Sequence, residues 1–271
     1  MKKYYLIALV LFVFCFGFIH QQHLAVIAKK NSGGIDYTAD ANCMGAWFMN
    51  NNGGNETDRS GEGGTLIQTS GTIPTSETVP SGYSGTSRDF ESGDTEYLEH
   101  ANNLATDISG ADQAITYAAW IKPEDNTSDT MHIISKYDNV NGSRQYSLIH
   151  ATAANRFQCN ISSDGNTYSS ASGETPIDYD GSWMHVACVY DDTDIRLYVN
   201  GTLDENGIYN PAAFTAGIYA GNEEFRVGAE DDDNYFDGLI DEVIVFNRAL
   251  EASEILEMYN SGIRGNTGGS D

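Results

Sequence analysis

The chain has 271 residues, of which 40% are apolar, and carries 39 acidic against 14 basic side chains for a net charge of −25. A surface of that sign repels phosphate backbones and anionic lipid, which argues against nucleic acid and membrane surfaces as partners and favours cations. The apolar share suffices for a sizeable core in one large domain.

Lys2 and Lys3 precede an uninterrupted apolar run from Tyr4 to Ile19, and no acid appears before Asp36. A basic start followed by a greasy helix is the order of a secretory signal. Sixteen residues at ~1.5 Å each reach roughly 24 Å, short of the ~30 Å hydrocarbon core. His20, Gln21, Gln22 and His23 then interrupt the run, and Val26-Ile27-Ala28 offers modest side chains before a cleavage after Ala28. Residues 1–28 therefore read as a signal peptide or, uncleaved, as an N-terminal anchor, and the folded part as secreted or on the cell surface. Residues 29–42, polar and small, read as a linker.

Cys15 lies inside the signal and lacks the small residues that precede a lipidated cysteine, which leaves Cys43, Cys159 and Cys188. Three cannot all pair internally. Export permits a disulfide, and Cys159 with Cys188 is the candidate pair because both lie in strand-like runs; free buried thiols are the alternative.

Short β-type runs separated by Gly, Asn, Asp and Ser turns follow, the spacing of a sandwich or barrel. Strands are expected over Ala114–Ile121, Met131–Lys136, Gln145–His150, Arg156–Ile161, Glu224–Val227 and Gly238–Phe246. The clearest hairpin starts at Trp183, where Trp183, His185, Ala187 and Val189 alternate with Met184, Val186, Cys188 and Tyr190, so that both faces are covered. Asp191-Asp192-Thr193-Asp194 supplies its turn. Ile195, Leu197 and Val199 lead to Asn200-Gly201, the positive-φ pair of a second tight turn. One helix is expected after Leu250, with Glu251 and Glu254 at its positive end and Ile255, Leu256 and Tyr259 on one stripe before Ser261-Gly262. Residues 265–271 read as a loose tail.

Several runs, in order, resemble the laminin G-like jelly-roll family of the concanavalin A-like lectin/glucanase superfamily. They are Gly45-Ala46-Trp47-Phe48, Asp58-Arg59-Ser60-Gly61, Asp89-Phe90-Glu91-Ser92-Gly93, Thr116 to Pro123, Ile133 to Lys136, Trp183 to Ala187, Leu197 to Gly201, Gly238 to Val243 and Asn247-Arg248-Ala249-Leu250. The resemblance implies an all-β fold over residues 43–264, a two-sheet antiparallel jelly-roll sandwich with a short C-terminal helix. It does not determine a ligand. Trp120 and Trp183 read as core plugs, because buried aromatics dominate sandwich cores. His185, mid-strand with no Ser, Cys or metal-spaced partner nearby, reads as structural.

The family members that bind calcium join a carboxylate near the N-terminus to the aspartate of the last strand motif. The resemblance therefore implies a calcium ion between Asp58 and Asp241, with Ser60 and Gly61 as further oxygen ligands. The alternative is that Asp58 starts a turn and Asp241 bonds loop amides without metal. The run from Glu230 to Asp237 fails the calcium-loop pattern, because Tyr235 occupies a ligand position. Its mixture of amides and rings instead suits a shallow sugar site, with Asn234 and Tyr235 as contacts.

Catalysis finds little footing. Sandwich glucanases alternate carboxylates along one strand, whereas the nearest set here, Glu91, Asp94 and Glu96, crosses a turn at Gly93. The expected function is an exported, non-catalytic binding module for a glycan or an extracellular protein, calcium-stabilised. The alternatives are a structural or adhesive surface protein and a polysaccharide-degrading enzyme with an atypical site.

Overall fold

The computed structural model describes residues 35–263 except 70, 103–104, 125–129, 152–153, 180, 211–216 and 232. The expected signal or anchor at 1–28, the first residues of the linker and the tail at 265–271 lie outside the described residues. In chain order the strands are β1 (Cys43–Trp47), β2 (Ile67–Gln68), β3 (Thr75–Ser76), β4 (Ser87–Phe90), β5 (Leu98–His100), β6 (Ile115–Pro123), β7 (Met131–Lys136), β8 (Tyr146–Ala151), β9 (Arg156–Ile161), β10 (Ser169–Ser172), β11 (Met184–Tyr190), β12 (Ile195–Val199), β13 (Thr202–Tyr209), β14 (Phe225–Val227) and β15 (Gly238–Phe246), followed by the helix α1 (Ala252–Ser261).

They form two antiparallel sheets stacked as a sandwich. One runs β13-β12-β11-β6-β15-β4-β3, the other β10-β9-β8-β7-β14-β5-β2. β15 serves two neighbours on one side, pairing residues 238–240 with β4 and residues 243–246 with β1. At the changeover the register against β6 shifts, and Glu242 takes a φ of 45°. That is a β-bulge, which re-aims the strand between two partners.

The alternation of β11 divides its side chains as expected. Met184, Val186, Cys188 and Tyr190 enter the core between the sheets, while Ala187 and Val189 join a second cluster on the outer face. Asn200 and Gly201, at φ 50° and 76°, turn the chain from β12 into β13. The Asn200 side chain also accepts a hydrogen bond from the His185 backbone at 2.9 Å.

α1 covers the outer cluster. Its first turn is closed by a reciprocal capping box between Glu251 and Glu254. The buried stripe differs from expectation: it is Ile255 and Met258, whereas Leu256 is 45% exposed and Tyr259 stacks on Trp120 with centroids 5.4 Å apart. The direction from which α1 meets the sheet selects the stripe, and several stripes of this helix are apolar enough to serve.

Residues 36–42, expected as part of a linker, belong to the fold. Tyr37 is buried, donates from its hydroxyl to the Glu254 carbonyl at 3.0 Å, and its amide donates to the Ile263 carbonyl at 2.7 Å. Arg248 clamps this segment to the helix by reaching both Asp40 and Glu254.

The aromatic plug between the sheets is Trp47. It is fully buried, stacked on Phe225 at 5.2 Å, with its indole N–H donated to the Gly64 carbonyl at 2.9 Å. Trp120 is buried on the outer face beside Tyr83, His185 and Tyr259, and Trp183 is half-buried. Alternation shows that two faces exist; which one meets the other sheet depends on the stacking. His185 is buried there, and burial pushes its imidazole down to about 3.

Cys159 on β9 and Cys188 on β11 are joined by a disulfide with Cα atoms 5.6 Å apart, so the bond crosses from one sheet to the other. Cys43 is free and buried. Among the described residues no helix is long and apolar enough to cross a membrane.

Candidate functional site

Strand register brings together residues far apart in sequence at one end of the second sheet. Lys136, Tyr146, Ile161 and Ser169 lie in one line across β7, β8, β9 and β10. One residue past the ends of that line stand Tyr137 and Tyr168. Their rings meet edge to face with centroids 6.2 Å apart. Tyr137 is buried, whereas Tyr168 is 50% exposed.

Tyr137 is held from two further sides. The His132 ring lies 5.7 Å away, and the Arg144 guanidinium sits 5.6 Å from the ring centroid. Arg144 belongs to the β7–β8 loop, and its amide donates to the Gly165 carbonyl in the β9–β10 loop at 3.1 Å. The two loops are thereby tied into one surface.

Glu230 fastens the β14–β15 loop to the same place. One carboxylate oxygen accepts from the Asn139 amide at 3.2 Å; the other accepts the Asn234 side-chain amide at 2.7 Å and lies 3.3 Å from His132 Nε2. Burial pushes the Glu230 carboxyl up and the His132 imidazole down to about 3. Both shifts disfavour charge, as desolvation requires.

Asn234, with φ 52°, sits in this knot, and its carbonyl also accepts from the His132 amide at 2.9 Å. Tyr235 packs against Tyr97 at 6.2 Å, and the Arg226 guanidinium lies 5.7 Å from the Tyr97 ring centroid. Of the two expected sugar contacts, Asn234 is therefore tied to the Tyr137–Tyr168 surface through Glu230, whereas Tyr235 packs towards Tyr97. Sequence reasoning passed over Tyr168, although an isolated tyrosine in the polar stretch from Ser162 to Ser172 is a signal of an exposed ring. Nothing local in the sequence pairs it with Tyr137. An exposed phenol face bordered by amides and a guanidinium can stack on an apolar ring face and bond hydroxyl groups.

The expected calcium ligands lie elsewhere. The Asp58 carboxylate accepts from the amides of Ala46 at 2.8 Å, Ser60 at 3.0 Å and Gly63 at 3.0 Å, and from the Ser60 hydroxyl at 2.9 Å. Both its oxygens are thus engaged in locking the Asp58–Gly63 turn onto β1. Gly61, at φ 86°, makes that turn. Asp241 is buried on β15 and accepts from the Glu242 amide at 2.8 Å. Burial raises its proton affinity well above the ordinary range, and the nearby charges of Glu242 and Glu56 add to this. Among the described residues no three His, Cys, Asp or Glu side chains form a group that could hold a metal.

Glu91, Asp94 and Glu96 do not form a row. Residues Ser92–Asp94 make a 3-10 turn that Glu96 closes by accepting the Glu91 amide at 3.0 Å. A separate cleft of about 280 Å³ opens between the sheet edges, lined by Glu174, Thr175, Val199, Thr202, Leu203 and Asp204. Asp204 is engaged there by the amides of Glu174 and Thr175, so its role is to hold the loop after β10.

Residues 92–256 match the laminin G-type model of the concanavalin A-like lectin/glucanases superfamily. Among solved structures, domain 4 of AbnA, a GH43 extracellular arabinanase from Geobacillus stearothermophilus, in complex with arabinotriose, is similar with 20% identity and a TM-score of 0.58 over 80% of this chain and 98% of that one. The binding domain of botulinum neurotoxin serotype G is similar with 15% identity and a TM-score of 0.61 over 80% of this chain and 50% of that one. A botulinum neurotoxin type C structure, concerned with cell entry through two ganglioside molecules, is similar with 15% identity and a TM-score of 0.59 over 81% of this chain and 51% of that one. The chain spans about half the length of these toxin domains.

Proposed function

This chain belongs to the concanavalin A-like lectin/glucanases superfamily, and from that premise we propose that it is an exported, non-catalytic module that binds carbohydrate through the surface around Tyr168. The observation that carries the reading is the half-exposed Tyr168 ring braced against Tyr137, which the Arg144 guanidinium contacts in turn, with the Asn234 amide tied to the same end of the sheet through Glu230. A sugar ring stacks its C–H face on Tyr168, and further contacts come from Asn234 and Tyr235 in the loop that Glu230 ties to the same end of the sheet. The arabinotriose and ganglioside contexts of the similar structures support a glycan as the ligand class.

A glycan array probed with the purified protein tests this. Binding to a defined glycan class is expected, and Tyr168→Ala weakens it about tenfold, the effect of losing roughly 1.4 kcal/mol of ring contact. Uniform absence of binding, or a Tyr168→Ala protein that binds as well as the parent, overturns the proposal.

Calcium stabilisation is a separate proposal, and the residues fit it in part. Asp241 is a buried, charge-crowded carboxylate that a cation would relieve, whereas Asp58 already holds four N–H and O–H donors. A calcium ion would supply charge neutralisation there and nothing else. Thermal melts in millimolar calcium and in chelator are expected to differ by several degrees, with Asp241→Asn removing the difference. Superimposable melts of the parent in both buffers overturn it.

A further inference from the structure

Four of the described arginines face carboxylates. Arg88 faces Glu56, Arg196 faces Asp191 and Asp194, Arg226 faces Glu99, Glu224 and Asp231, and Arg248 faces Asp40 and Glu254. Arg144 differs. Among the described residues no carboxylate stands within ion-pair distance of it, although Asp138 and Asp164 belong to the same two loops. Each of those acids is engaged within its own turn. Asp138 accepts from the amides of Val140 and Asn141 and the Asn141 side chain, and Asp164 from the amides of Asn166 and Thr167 and the Thr167 hydroxyl.

The Arg144 guanidinium is fixed in spite of this. It lies 5.6 Å from the Tyr137 ring centroid and hydrogen-bonds the Tyr137 side chain, donates from Nη2 to the Asn139 carbonyl at 3.2 Å, and keeps its buried Nε hydrogen without an acceptor. A buried donor left unmade carries a desolvation penalty. A guanidinium with an unmade donor, pre-positioned beside a ring, is the group that a planar anion completes. It stands beside Tyr137, whose ring meets that of Tyr168.

We infer that the surface around Tyr168 selects acidic sugars, whose carboxylate or sulfate group is received by Arg144 while the sugar ring stacks on Tyr168. This rests on the carbohydrate reading above and adds the ligand's charge to it. The net charge of −25 does not forbid it. At physiological ionic strength surface charges beyond ~8 Å are largely screened, so the local guanidinium decides at contact.

The test compares neutral oligosaccharides with uronate-containing, sialylated and sulfated ones on the full chain, by array and then by calorimetry. The uronate and sialyl arms report a carboxylate and the sulfated arm a sulfate ester. Acidic glycans are expected to bind tighter than their neutral counterparts by about 10- to 100-fold, the range of a hydrogen bond to a charged group. Arg144→Met, which retains the packing over Tyr137, is expected to collapse that ratio, and Arg144→Lys to retain part of it. Equal or tighter binding of neutral glycans, or an unchanged ratio in a folded Arg144→Met protein, overturns the selectivity and leaves the carbohydrate reading standing. Absence of binding to every glycan overturns both.

Discussion

Replacing Cys159 and Cys188 together by alanine is expected to lower the stability of the fold by roughly 3 to 4 kcal/mol, the chain-entropy value for a loop of this length. The two cysteines are 29 residues apart in sequence, both fully buried, and the bond joins β9 to β11 across the sandwich. In the unfolded chain the bond removes conformations that the folded chain never visits, so its loss stabilises the unfolded side of the equilibrium. The packing consequence is smaller, because each sulfur leaves only a small gap beside Leu197 and Tyr117 in the same core. Denaturant unfolding of the double variant, compared with the parent in oxidising and reducing buffer, checks this. Reduced parent and double variant should share a midpoint well below that of the oxidised protein; a difference under about 1 kcal/mol would show that the bond constrains little.

At Arg88 a single substitution should cost as much. It is fully buried on β4 and reaches four acceptors in the chain between β1 and β3: the carbonyls of Asn51 and Gly54, the Glu56 carboxylate at 2.9 Å and the Gln68 side chain at 2.6 Å. Arg88→Met is expected to cost about 3 to 5 kcal/mol, because it leaves Glu56 buried without its counter-charge.

The pH dependence identifies the cause. Burial already pushes the Glu56 carboxyl above its ordinary value of 4.5, and removing Arg88 pushes it further. A carboxyl raised in the folded state contributes stability below its unfolded value and loses it as pH rises through the folded value. The deficit of Arg88→Met should therefore be largest at neutral pH and shrink towards pH 4.5, and adding Glu56→Gln should restore part of the loss at pH 7. A deficit that is the same at both pH values would assign the loss to packing.

Local chemistry made much of this protein legible. The strands over Met131–Lys136, Arg156–Ile161 and Gly238–Phe246 have the bounds that hydrophobic patterning implies, and Ile115–Pro123 and Tyr146–Ala151 are displaced by one or two residues. The Asn200-Gly201 turn follows from the positive φ that those two residues tolerate. Asn234 and Tyr235 are candidates on local grounds alone, since amides and rings share a stretch of eight residues. Such features depend on neighbours in the chain, and a period of two survives in any sheet arrangement.

What only the tertiary structure decided involves partners far apart in the chain. Tyr137 and Tyr168 meet because β7, β8, β9 and β10 stand in register, and no periodicity within either segment carries that information. Trp47 rather than Trp120 fills the space between the sheets, Arg88 is interior, Tyr37 is part of the fold, and β14 lies between β7 and β5. Each of these depends on how two sheets stack and which strands become neighbours, a choice made by the summed burial of the whole chain against the entropy of closing its loops. Composition and spacing therefore determined that there would be sided strands of a sandwich or barrel, the family resemblance implied the sandwich, and the stacking of its sheets decided which side chains share a surface.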